Sequence, residues 1–75
     1  MRICCGANHN LAVDFLGKIY VWGSGKNGKL GFEDELYRAS PVHLKALDHE
    51  FILDISASSS NSACISQSGR LYTWG

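Results

Sequence analysis

ICCGANHNLAVDFLGKIYVWG, residues 3–23, lies over ISASSSNSACISQSGRLYTWG, residues 55–75, at a constant offset of 52 and without a gap. Ile3 meets Ile55, Val13 meets Ile65, Gly17 meets Gly69 and Lys18 meets Arg70. Ile19 meets Leu71, Tyr20 meets Tyr72, and Trp22–Gly23 meets Trp74–Gly75. Any one match could be chance; the joined pattern G-[KR]-[IL]-Y-x-W-G, found twice, is an internal repeat, and a repeat constrains fold before any local propensity does.

The repeated unit reads as a hairpin. In LAVDF, Leu11 and Val13 fall on one face of a strand, as do Ala63 and Ile65 in ACISQ. A turn follows at Leu16–Gly17 and Ser68–Gly69, where glycine takes a positive φ at little steric cost. KIYVW and RLYTW are rich in aromatic and β-branched residues and read as the return strands. Ile19, Val21 and Gly23 share one parity, and Tyr20 and Trp22 the other, so both faces of the sheet call for cover.

The segment between the hairpins is less uniform. Leu44, Leu47 and Phe51 could form a helical stripe across VHLKALDHEF. Against this, Val42, Leu44 and Ala46 alternate like a strand, as do Phe51, Leu53 and Ile55. Pro41 interrupts a helix and confines a strand to a sheet edge. The favoured reading is a loop, a short strand near 42–44, a turn, and a strand near 51–57. One unit then holds about four short antiparallel strands, and a repeat of about 50 residues built that way suggests a propeller blade. Stacking on neighbours covers both faces of such a blade, with Trp22 and Trp74 as anchors.

The totals narrow the function classes. The formal net charge of zero argues against a nucleic-acid or membrane partner held by bulk electrostatics. No run of apolar residues is long enough for a membrane-spanning helix, and MRICCGANHN lacks the apolar core of a secretory signal. The three cysteines, Cys4, Cys5 and Cys64, cannot all pair within one chain, so free thiols and an intracellular setting, cytoplasmic or nuclear, are expected.

GSGKNGKLG, residues 23–31, contains the G-x-x-x-x-G-K spacing of a phosphate-cradling loop. Leu30 stands where a magnesium-binding hydroxyl belongs. Gly31 and the acidic Glu33–Asp34–Glu35 follow where a helix should open. Phosphate or nucleotide binding is therefore the weakest reading of this loop, and Lys26 and Lys29 are expected to be solvated beside tight turns. Adjacent Cys4 and Cys5 point to opposite faces of a strand and cannot readily ligate one ion. Buried or half-buried thiols are expected, and a zinc site with His9 and Cys64 is disfavoured. His9 is expected to bond backbone groups of the adjoining loop, and His43 and His49 to lie at the surface. Asp14 has no triad-like partner, and Ser56–Ser62 contain no nucleophile elbow. The acidic patch reads as solvated loop charge. Tyr20, Tyr72 and the tryptophans could stack bases, but their matched positions fit structural roles. No catalytic residue, metal or cofactor is assigned.

The residues now in view resemble the repeats of the regulator of chromosome condensation family, with its pattern I-x-x-G-x-x-H-[ST]-x-A-L-x-x-x-G-x-[VL]-Y-x-W-G and a following G-x-x-G-Q-L-G loop. Ile3, Gly6, His9, Ala12, Gly17, Tyr20, Trp22 and Gly23 match the first part, and Gly25, Gly28, Leu30 and Gly31 the loop. Pro41 and Leu47 fit the later pattern. The second unit keeps Ile55, Ser62, Gly69, Tyr72, Trp74 and Gly75, with Ser58 for the glycine and Asn61 for the histidine. The resemblance implies an all-β fold of antiparallel four-stranded blades, incomplete here and normally seven to a ring. Residues 1–54 would be the first unit with its glycine loop, and 55–75 the start of a second, a portion of a longer scaffold. It implies structural roles for the matched residues and a non-enzymatic protein–protein interaction repeat. The alternative it raises is a regulator of a small GTPase resembling a guanine nucleotide exchange factor, since some members act so and bind chromatin, while others sit in ubiquitin ligases. Self-association through open blade edges is a further expectation.

Overall fold

Strand alternation and two glycine-containing hairpins generate the architecture. In the computed structural model, which describes residues 2–32 and 34–75, strands β1 (Arg2–Cys5), β2 (His9–Val13), β3 (Ile19–Gly23) and β4 (Arg38–His43) form an antiparallel sheet in chain order. Strands β5 (Ile52–Ala57), β6 (Ser62–Ser66) and β7 (Leu71–Trp74) form a second, likewise in order. The fold is all-β. Glu33 of the acidic patch lies outside the described residues.

The two hairpins repeat in space as they do in sequence. Asp14 N–H donates to Lys18 O at 3.0 Å, and Ser66 N–H to Arg70 O at 2.9 Å. Gly17 N–H donates to Asp14 O at 3.1 Å, and Gly69 N–H to Ser66 O at 3.0 Å. Each is a tight turn closed by a residue with positive φ, +75° at Gly17, which a side chain would strain. At Gly17 space forbids one as well, since an added Cβ would lie 2.6 Å from the Phe51 ring.

The sheets stack face to face, with β5 lying across β1 and β2. Leu11, Val13, Ile19 and Val21 project from the first sheet into a core completed by Ile52, Ile55 and Cys64 from the second. Leu30 and Leu44 seal it from the connecting segments. Burying each large aliphatic side chain stabilises by about 1.5–3 kcal/mol. Tyr72 and Trp74 pack against this core. Tyr20 and Trp22 share the opposite face of β3, across from Ala12 and Asn10.

The middle segment departs from expectation in extent. Its strand begins at Arg38 rather than near 42, because a register shift between Val21 and Gly23 lets β3 pair with β4 at both ends. Pro41 sits inside β4, which is the sheet edge, where its missing N–H costs no ladder bond. The competing helix shrinks to a single 3-10 turn at Lys45–Leu47. The first sheet ends with β4 at His43, and the second begins with β5 at Ile52.

Ile19 and Leu71 occupy the same repeat position, one buried and one exposed. Ile19→Ala is expected to cost about 2–5 kcal/mol in urea unfolding of the full chain. Leu71→Ala is expected to change stability by no more than about 0.5 kcal/mol. Equal effects would mean that the two sheets are not stacked in this order.

Candidate functional site

The seam between the sheets carries the most constrained polar group. His9 begins β2, is 1% exposed, and places Nε2 2.9 Å from Ser62 Oγ at the start of β6. Ser62 Oγ donates to the Lys29 carbonyl at 2.6 Å. The one hydroxyl proton of Ser62 is thereby used. Nε2 must therefore carry the ring proton and donate to Ser62, leaving Nδ1 bare, buried and without a partner. The histidine thus bonds a side chain of the next repeat. Burial and the neighbouring Lys29 charge lower its pKa, against a smaller opposing pull from the Asn61 backbone. The ring lies on Gly6, where an added Cβ would sit 2.5 Å from His9 Cε1 and collide with Ser58 O.

The glycine loop is committed to its own fold. Its 3-10 turn spans Lys26–Gly28. Gly28 N–H donates to Gly25 O at 3.1 Å and Gly31 N–H to Gly28 O at 3.0 Å, so amides that a phosphate would need are already paired. Lys26 is exposed as expected. Lys29, expected to be solvated, is 4% exposed, because the main chain there runs into the seam and offers its carbonyl to Ser62. Leu30 enters the core, and Gly31 lies against Leu44 and Trp74, its hypothetical Cβ 3.2 Å from Nε1 of the tryptophan. Gly25 is pressed against Leu36 O. The loop serves as a lid on Trp74.

Other singled-out residues hold the hairpins. Asp14 Oδ1 accepts from Leu16 N–H at 2.9 Å and Lys18 N–H at 3.0 Å, and Tyr20 OH donates to Oδ2 at 3.2 Å. The Lys18 backbone bond foremost lowers the Asp14 pKa. Ser66 repeats the clamp, accepting from Arg70 N–H at 3.2 Å. This device escaped the sequence reading, although Asp14 and Ser66 share one repeat position and both bear a side-chain oxygen. Tyr72 OH donates to Glu50 Oε2 at 2.6 Å. His43 is half-buried, 2.7 Å from Asp48 Oδ1, and His49 is exposed. Cys4 Sγ donates to Ile55 O at 3.2 Å, whereas Cys5 is exposed rather than half-buried. Cys64 is buried, and burial with the Glu50 charge pushes its thiol up to about 11. Ile3 lies on the outer face of β1, exposed, while its mate Ile55 is buried; Gly69 and Gly75 are exposed, and Gly23 is buried. Among the described residues no group of three or more His, Cys, Asp or Glu is placed to hold a metal. No described helix is long and apolar enough to cross a membrane.

The β2–β3 turn forms an apolar tip. Phe15 is 84% and Leu16 72% exposed in the β2–β3 turn. Phe51 and Leu53 continue the patch around a shallow depression beside Phe15. Gln67 and Ser68 stand at the matching turn of the second repeat.

Ser62→Ala removes the donor to Lys29 O and the acceptor of His9, and is expected to cost about 1–3 kcal/mol in urea unfolding; no loss would remove the seam from the stabilising contacts. With its folded pKa lowered, His9 favours the folded state fully above the unfolded value of about 6.5. That contribution falls away as pH drops below it toward the folded value. Stability measured from pH 8 down to 5 is expected to decline less steeply in His9→Gln than in the original chain.

Residues 17–65 match the Regulator of chromosome condensation (RCC1) repeat, and a second model of the same repeat matches residues 2–29. Ras guanine nucleotide exchange factor C of Dictyostelium discoideum is 36% identical over 73 residues, 97% of this chain and 5% of that protein. The structure of human WBSCR16 superposes with a TM-score of 0.94 at 25% identity, over 100% of this chain and 19% of its own. That of Prp20p from Saccharomyces cerevisiae gives 0.80 at 23% identity, over 97% and 18%. The chain thus spans less than a fifth of each of these proteins. With the repeat visible in sequence, hairpin and seam alike, the chain belongs to the RCC1 repeat family.

Proposed function

We propose that this chain is a non-catalytic propeller repeat that presents its turns to protein partners, with one unit over residues 1–54 and a second begun at 55–75. In this reading the matched glycines, His9, Leu30 and the Tyr-x-Trp pairs are structural, and recognition belongs to the turns they hold in place. The observation that carries it is the Phe15–Leu16 tip. The β2–β3 hairpin exposes two large apolar residues where the other repeat has Gln67 and Ser68. Stacking alone does not require that difference, and contiguous exposed apolar surface marks interaction sites. Prp20p, whose structure was described together with its binding to Gsp1p and histones, supports a protein partner.

A second reading is regulation of a small GTPase, favoured by the likeness to Ras guanine nucleotide exchange factor C. Purified histones and a Ras-type GTPase are the first probes for both. Binding to the immobilised chain is expected to weaken about tenfold or more in F15Q/L16S, which carries the residues of the second repeat, as for loss of an apolar hot spot. Thermal unfolding of that variant is expected to stay unchanged. Full binding by the double variant would take recognition away from this tip. Nucleotide release from the GTPase that stays at its basal rate under saturating chain would remove the second reading.

A further inference from the structure

The ladder between β3 and β4 breaks at one place. Val21 faces Val42 and Gly23 faces Arg38, so Ala39, Ser40 and Pro41 together stand against Trp22 alone. The surplus is pushed out of the ladder, as in a β-bulge. Ala39, Ser40 and Pro41 are all exposed. The bulge lies on β4, at the edge of its sheet, and not on the faces through which sheets stack. Pro41 is the chain's one proline. It has no N–H to give to a ladder, and it keeps the residue before it in extended backbone. Ser40 is thus an exposed hydroxyl on an extended segment that bulges from the sheet edge.

We propose that Ser40 is a phosphorylation site for a proline-directed protein kinase, and that Arg38, two residues earlier, holds the phosphate. A kinase cleft that offers no acceptor to the residue after the serine selects proline there, because any other residue would leave a buried N–H unpaired. Ser40–Pro41 is the one Ser-Pro or Thr-Pro pair in the sequence. In the transfer, Ser40 Oγ bonds to the γ-phosphorus of ATP as the bond from that phosphorus to the bridging oxygen breaks. ADP leaves, and the hydroxyl proton passes to a base of the kinase. Arg38 is already held in place. Nη1 donates to Asp34 Oδ1 and to Leu36 O, and Nη2 donates to Asp34 Oδ2 at 3.1 Å. Its Cζ lies 4.3 Å from the centre of the Phe32 ring. A guanidinium has five N–H donors, and Nε–H and the second N–H of Nη2 take part in none of these bonds. Such a pair, side by side on one edge of the guanidinium, is a fork that grips two phosphate oxygens. The inference stands on the bulge and this donor pair, independently of the Phe15–Leu16 tip.

The test treats the full chain with a purified cyclin-dependent kinase and, separately, a mitogen-activated protein kinase, each with ATP and magnesium. Intact mass and fragmentation are expected to show one phosphate, on Ser40, and none in S40A. P41A is expected to react about tenfold more slowly or worse, as for one unpaired buried N–H. A synthetic peptide of residues 36–44 sets the rate for an unfolded site, and the chain is expected to stay within about tenfold of it, because the bulge is already lifted off the ladder. Near-ultraviolet circular dichroism checks that S40A and P41A keep the fold. Phosphorus NMR then follows the second ionisation of the phosphate, ordinarily at about 6. The Arg38 charge is expected to lower it, and R38Q to return it upward by about half a unit or more. A chain that neither kinase modifies while the peptide is modified overturns the site, as does phosphate placed elsewhere or a P41A that reacts at the original rate. A phosphate that titrates identically in R38Q overturns the part given to Arg38.

Discussion

A sheet with apolar residues at both parities cannot be completed by its own strands. That constraint governs the rest of this molecule. β2 and β3 offer Leu11, Val13, Ile19 and Val21 on one side and Ala12, Tyr20 and Trp22 on the other, and β-pairing satisfies neither side. Stacking a second hairpin on the first buries one of them, and with it most of the core. The connecting segment then has a defined task. It must carry the chain from the edge strand β4 to β5 across the seam, and on the way Leu44 closes the core, which Leu30 of the β3–β4 loop also seals. The glycine loop meets Trp74 at Gly31, and the Gly28 and Gly31 amides are spent on bonds within the loop.

Apolar stacking is tolerant of register, since aliphatic side chains slide past one another at modest cost. The polar seam is less forgiving. His9, Ser62 and the Lys29 carbonyl form one directed chain of hydrogen bonds drawn from three separate segments. A slip by one residue would turn His9 away and strand a buried hydroxyl and carbonyl. The seam therefore fixes how the sheets meet, while the apolar residues supply the force that brings them together.

Most of the fold was legible because it rests on local pattern. The hairpins, the turn at Gly17 and the edge position of Pro41 follow from alternation, φ preference and the missing proline N–H. The start of β4 at Arg38 was not legible, because a register shift opposite Trp22 depends on the partner strand and leaves no mark in RASPVH. The burial of Lys29 was hidden for a related reason: its main chain, not its ammonium group, is what the seam requires. Of the candidate site, His9 was singled out from the sequence, but its partner lies 53 residues away, beyond the reach of local reasoning. Asp14 could have been read, since the repeat places Ser66 over it.

Gly6 and His9 show how far the chain can drift. The imidazole occupies the space that a Cβ on residue 6 would need. In the second repeat the ring is gone, Asn61 stands in its place, and Ser58 has taken the glycine position. The two sites share one space, but the ring is not its sole occupant: the Ser58 carbonyl of the next repeat crowds the same Cβ. Shortening the histidine therefore does not by itself admit a side chain at residue 6. Losing this glycine also requires the neighbouring repeat's main chain to move, so the glycine is tied to the next unit as well as to its own.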